Sequence, residues 1–167
     1  MDIQSVIVDQ YGAALEMLKQ AIIKCPPASW ADDPHSRKQF WLVAYHALFY
    51  THLYLSDNLD TFKPWEKYRK GIHRLGPAPE KAETGEPYSR EEMLEFLEFC
   101  HKSVIERVPT LNLDVESGFE WLPFNKLELQ LYTIRHLQHH AAELIEWLGA
   151  NEGIDVDWVG IAPALAG

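Results

Sequence analysis

The sequence predicts an all-α fold, a four-helix bundle, and three observations carry that prediction. Four segments place apolar residues at helical spacing. Their ends carry capping residues, glycine or proline. The 167-residue length fits one domain spanning residues 1–167, since a single core commonly serves about 100–200 residues.

The first helix is expected over residues 3–24, where Pro26-Pro27 ends it. Val6, Ile7, Ala14, Leu18, Ala21 and Ile22 form its apolar stripe. The second is expected over residues 36–57. It is apolar almost all round, with Phe40, Trp41, Leu42, Val43, Tyr45, Leu48 and Phe49. Such a helix is buried by its own fold or by a partner subunit, so a homodimer is one expectation. A long connection, residues 58–87, is rich in glycine and proline. Its first part, FKPWEKYRKGIHR, mixes basic and aromatic residues. It reads as a solvated loop with a short helix near residues 65–70.

The third helix opens with Ser89-Arg-Glu-Glu92, a capping box, and runs to about residue 108, before Pro109. A second long connection follows, TLNLDVESGFEWLPF, in which Leu111, Leu113 and Val115 could form a short extended segment. Asn125 opens the fourth helix with Glu128 three residues on, and Gly149 reads as its stop after residue 148. Residues 150–167 read as a C-terminal coil tail.

Composition narrows the function classes. At 47% hydrophobic and 24% charged, the chain has ample apolar content for a core, which excludes a disordered protein. Asp and Glu outnumber Lys and Arg by 25 to 15, a net charge of −10, which argues against nucleic acid as a partner. Two cysteines, Cys25 and Cys100, do not make a disulfide framework or a Cys-rich zinc site. The most apolar stretch, residues 40–55, is shorter than the roughly 20 residues of a membrane span. The opening MDIQSVIVDQYGAALEMLK has no basic n-region and does not read as a signal peptide. A reducing, cytoplasmic location with both thiols free is the expectation.

Eight histidines are more than a chain of this size needs. The densest cluster is Arg135-His-Leu-Gln-His-His140. On a wheel of about 100° per residue with Leu127 at zero, the residues Leu127, Leu131, Ile134 and Leu137 join one broad apolar arc. Glu128, Arg135, His139 and Glu146 cluster on a charged face, so His139 is expected in solvent. His136 and His140 fall together, one turn apart, on a face away from most of the charge. That spacing suits two ligands of one metal ion, or two packing histidines. The zincin pattern HExxH is missing, since Leu137 follows His136.

On the second helix, His46 shares a face with Leu42, Val43, Phe49 and Tyr50, where a neutral imidazole needs a partner. A metal, a hydroxyl or a buried water would serve. His52 is expected to pack near Trp41 and Tyr45, His101 is the rival ligand, and His35 and His73 read as solvated.

The segments LPFNKLELQLYTIRHLQHHAAELIEWL and WLVAYHALFYTHLYLS, with the closing WVG, resemble the DinB/YfiT-like superfamily. The resemblance spans the four helices and is most specific in the last. It implies a four-helix bundle holding a divalent transition metal through a histidine triad, here His46, His136 and His140. Zinc or nickel stand ahead of iron or copper, all being metals that nitrogen ligands suit. It also implies a metal-dependent hydrolase or thiol-dependent transferase, with a small-molecule substrate and a low-molecular-weight thiol as a further partner. Tyr50, Glu143 and Gln39 are the neighbours that could support the ligands or line the pocket, although a solvated helix glutamate is the ordinary reading of Glu143. The alternative is a non-catalytic dimeric helical or small-molecule-binding module without metal chemistry.

Overall fold

Asp2 starts the first helix by accepting a hydrogen bond from the Ser5 amide at 3.2 Å, and the helix, α1, runs over Ile3–Lys24. Helices α2 (Phe40–Leu53), α3 (Arg90–Arg107) and α4 (Lys126–Glu152) complete the set. This computed structural model describes residues 2–32, 38–75 and 85–161. Among the described residues the fold is all-α, without a named strand. None of the described helices is long and apolar enough to cross a membrane. The predicted start of the second helix at residues 36–37, and His35, lie outside the described residues.

The packing is cyclic. Both α1 and α2 pack against α3 and against α4, while α1 and α2 meet only weakly. Twelve of the fourteen residues of α2 are buried, all but His46 and Tyr50. Its all-round apolar character is therefore met within the chain, and the sequence motive for a homodimer falls away. Its partners include Tyr88 and Phe96, which lie 4.9 and 5.7 Å from the Tyr45 ring.

The capping box is present in full. Ser89 Oγ accepts from the Glu92 amide at 3.2 Å, and Glu92 Oε2 accepts from the Ser89 amide at 2.9 Å. Asn125 caps α4 by accepting from the Glu128 amide at 2.8 Å.

Several boundaries and faces differ from the sequence expectation. Helix α2 ends at Leu53 rather than residue 57. Beyond it the carbonyls of Ser56 and Asp57 accept from Lys126 Nζ at 3.1 and 2.8 Å, which draws the chain out of the helix. Helix α4 passes through Gly149 and stops at Gly153, whose φ of +66° supplies the left-handed cap. The coil tail therefore begins later than residue 150. Its start is tied to α1, where Lys24 Nζ donates to the Asp155 carbonyl at 2.8 Å.

The buried face of α4 is also rotated from the predicted arc. Leu131 is 56% exposed, whereas Gln130 and Thr133 are fully buried. Gln130 is satisfied there, accepting from Tyr11 Oη at 2.8 Å and donating to the Tyr54 carbonyl at 3.2 Å.

The residues predicted as a short helix near 65–70 form turns, with one Tyr68-to-Trp65 backbone bond of 2.9 Å. The stretch is only partly solvated. Trp65 is buried and stacks on Phe96 at 4.6 Å, and the Arg69 guanidinium lies 3.7 Å over Tyr88. Arg69 and Lys67 thus lie over aromatic faces, whereas Lys63, Lys70 and Arg74 are exposed.

The second connection holds an isolated bridge between Glu116 and Asn125 in place of a strand through residues 111–115. Gly118 makes this possible: at φ +84° it passes so close that a Cβ would sit 1.9 Å from the Asp57 carbonyl oxygen.

Candidate metal centre

Packing of α2 on α4 brings His46 to His136 and His140. The Nε2 atoms of His46 and His136 lie 3.1 Å apart. Each of the three histidines offers a ligand nitrogen, and these nitrogens all lie within 4.8 Å of one another. Two imidazoles bound tetrahedrally to one zinc at 2.0–2.1 Å have their nitrogens about 3.3–3.4 Å apart. The first pair, at 3.1 Å, is a few tenths of an ångström closer than that.

Two of the three rings are oriented by a neighbour. His46 Nδ1 donates to the His73 backbone carbonyl at 2.6 Å, which leaves its Nε2 lone pair facing His136. His140 Nδ1 donates to Glu143 Oε2 at 2.9 Å, which leaves its Nε2 as the ligand nitrogen. A carbonyl or carboxylate behind a ligand imidazole fixes its tautomer and raises its basicity, the common arrangement around bound metals. His136 Nδ1 is buried without a hydrogen-bond partner among the described residues, so its tautomer is not fixed in this way.

All three rings are held neutral. Burial lowers the pKa of His46 to about 4 and that of His136 to about 3, each reinforced by neighbouring histidines. Burial also lowers His140, against the opposing pull of Glu143. Partial burial pushes the Glu143 carboxyl up, but the bond from His140 and the charge of Lys38, 3.6 Å away, bring it below the usual range. Neutral imidazoles, one of them backed by a carboxylate, are a donor set that could hold a divalent transition metal.

Tyr50 stands beside the group, with its ring 4.9 Å from His46 and 5.5 Å from His136. Glu143, whose ordinary reading was a solvated glutamate, touches a candidate ligand directly. Gln39 is buried and accepts from the Trp41 indole. His101 is half-buried on α3 and outside the group. His139 is exposed as expected, although with His140 and Glu143 it forms a second possible group. That second group shares His140, whose Nδ1 is already engaged by Glu143.

His73 is the residue that sequence reasoning missed. It is half-buried and stacked on Phe49 at 4.1 Å, and its carbonyl orients His46. Side-chain patterns carry no signal for a backbone carbonyl. His52 packs as expected but against other residues, Phe62 and Phe99, with ring separations of 5.1 and 4.8 Å.

A cavity of about 700 Å³ opens onto His46 and His136, with Tyr50 and His73 in its wall. Its size is that of an ordinary small-molecule site. Set against protein-family models, curated proteins and solved structures, the chain finds no match.

Proposed function

We propose that this chain is a DinB/YfiT-like metalloprotein that holds a divalent transition metal through His46, His136 and His140. The observation that carries the reading is the convergence of three neutral imidazoles, two with the outer nitrogen already engaged. Zinc or nickel fits this nitrogen set first, with iron or copper next. A metal held there supplies Lewis-acid polarisation to a bound small molecule, which serves a hydrolase or a thiol-dependent transferase.

The chain's own residues supply the rest. Glu143 and the His73 carbonyl hold the ligand rings in place. The Tyr50 phenol, whose pKa burial raises further above neutrality, offers a hydrogen-bond donor at the cavity wall.

Metal analysis of tag-free protein tests the reading. About one transition-metal ion per chain is expected, and His136→Ala is expected to carry almost none. Equal metal in the two proteins would contradict it. The cavity favours a second reading, a small-molecule-binding module without metal chemistry, and that reading predicts ligand binding unchanged by a chelator.

A further inference from the structure

The cavity beside the histidines offers a ligand almost no charge. Of its fourteen lining residues seven are Phe, Tyr or Trp, three are His and three are Leu, with no Asp or Glu among them. The remaining one, Arg74, is exposed and already has an interaction partner, so it is not a free cation waiting for an anion. An ion entering here exchanges water for apolar walls without a counter-charge, which is costly. Leu59 and Trp121 stand at this cavity with 55% and 53% of their surface in water, and an apolar ligand gains by covering them.

Two polar groups of the lining are left to bind. Tyr50 and Tyr132 flank the His136 ring at 5.5 and 6.3 Å, the first edge-on and the second stacked. Neither hydroxyl has a hydrogen-bond partner among the described residues, and neither is buried, so both can donate to a ligand. Tyr54, a third tyrosine of the lining, differs: its hydroxyl accepts from the Trp121 indole at 3.3 Å. A metal on the triad adds an open position that also seeks an electron pair. A phenol can accept as well as donate, but a metal position cannot. An oxygen that offers only lone pairs therefore suits all of these groups.

We propose that this cavity takes an uncharged aryl carbonyl compound, its ring among the aromatic walls and its carbonyl oxygen toward the Tyr50 and Tyr132 hydroxyls beside His136. Aromatic rings favour other rings through edge and offset contacts beyond simple area burial. The proposal names the substrate class of the metal site. It rests on that reading for its catalytic meaning, though not for binding itself.

Ligand-observed NMR titration of the full chain with acetophenone tests it, in chelator and again after zinc loading. Benzoate, ethylbenzene and cyclohexyl methyl ketone are the comparison ligands. In chelator, benzoate is expected to bind at least about tenfold more weakly than acetophenone. Tyr50→Phe and Tyr132→Phe each remove one hydroxyl and keep the ring. Each is expected to weaken acetophenone by about two- to tenfold, the value of one neutral hydrogen bond, and to leave ethylbenzene unchanged. Cyclohexyl methyl ketone keeps the oxygen without the aromatic ring, and is expected to bind about two- to tenfold more weakly than acetophenone. Unfolding curves of both variants show that they fold.

Failure of acetophenone to bind either form at about 5 mM overturns the subsite. So does benzoate or cyclohexyl methyl ketone binding as tightly as acetophenone in chelator, or both phenylalanine variants binding acetophenone as the wild type does. Zinc uptake by a protein that binds no acetophenone overturns the subsite and spares the metal reading. Binding of acetophenone in chelator by a protein that takes up no zinc supports the subsite and removes the metal reading.

Discussion

His46 and His52 lie on the same helix, six residues apart, and burial lowers both to a pKa of about 4. Their surroundings differ in kind. His46 donates from Nδ1 to a carbonyl and points Nε2 at another imidazole. His52 lies among Phe62, Phe96 and Phe99, and its Nδ1 is buried without a partner among the described residues. A depressed histidine pKa therefore reports burial and does not by itself mark a site. What separates the two is the convergence of further ligand nitrogens, with partners behind them that orient the rings. His46 has the surroundings expected of the proposed ligand, and His52 those of a packing residue.

The largest expected effect breaks the ligand half of this comparison. Zinc at a thousandfold excess over its dissociation constant adds about 4.1 kcal/mol to the stability of a protein that binds it only when folded. For a domain of this size that raises Tm by roughly 8–16 °C. A thermal-shift series is expected to show this rise in wild type and in His52→Leu, and none in His136→Ala.

Acid unfolding of the metal-free protein probes the packing half. The folded pKa of His52, about 4, lies below the unfolded value of about 6.5. As pH falls, the unfolded chain takes up the proton first. The stability held above about pH 6.5 is therefore lost progressively down to about pH 4, by about 1.4 kcal/mol per pH unit for this one group. Denaturant titrations from pH 7.5 to 4 are expected to show His52→Leu losing about 3 kcal/mol less than wild type. At pH 7.5 the variant is expected to match or exceed wild-type stability, because an unpartnered buried nitrogen goes with the ring.

A smaller effect sharpens the role of the oriented rings. Glu143→Gln keeps a hydrogen-bond acceptor behind His140 but removes the charge, and zinc affinity is expected to fall about 10- to 100-fold. A competition titration against a chromophoric chelator measures it. The smallest effect is at His139. Its alanine variant is expected to retain full zinc binding, since the exposed ring belongs only to the second group.

Much of the fold was legible because its signals are local. The Asp2 start, Pro26-Pro27, the Ser89–Glu92 box and the Asn125 cap each act within a turn of chain. His136 and His140 were legible because helical spacing alone puts them together. Non-local partners were not. Gly149 reads as the stop, yet the helix continues to Gly153. Lys126 is 4% exposed and donates to three backbone carbonyls, those of Ser56, Asp57 and Ser117, none of which its local sequence announces. Burial lowers its pKa, and the three carbonyls give its ammonium the partners that water would otherwise provide. The Gln130 network is hidden for the same reason, since a buried amide is recognisable only once its partners on other helices are placed.

X-ray absorption at the edge of the bound metal tests the central claim most directly, on tag-free protein loaded with one equivalent of zinc. Three imidazole nitrogens at about 2.0–2.1 Å are expected in wild type and two in His46→Ala. A zinc shell dominated by carboxylate oxygen, or an unchanged imidazole count in His46→Ala, would contradict it.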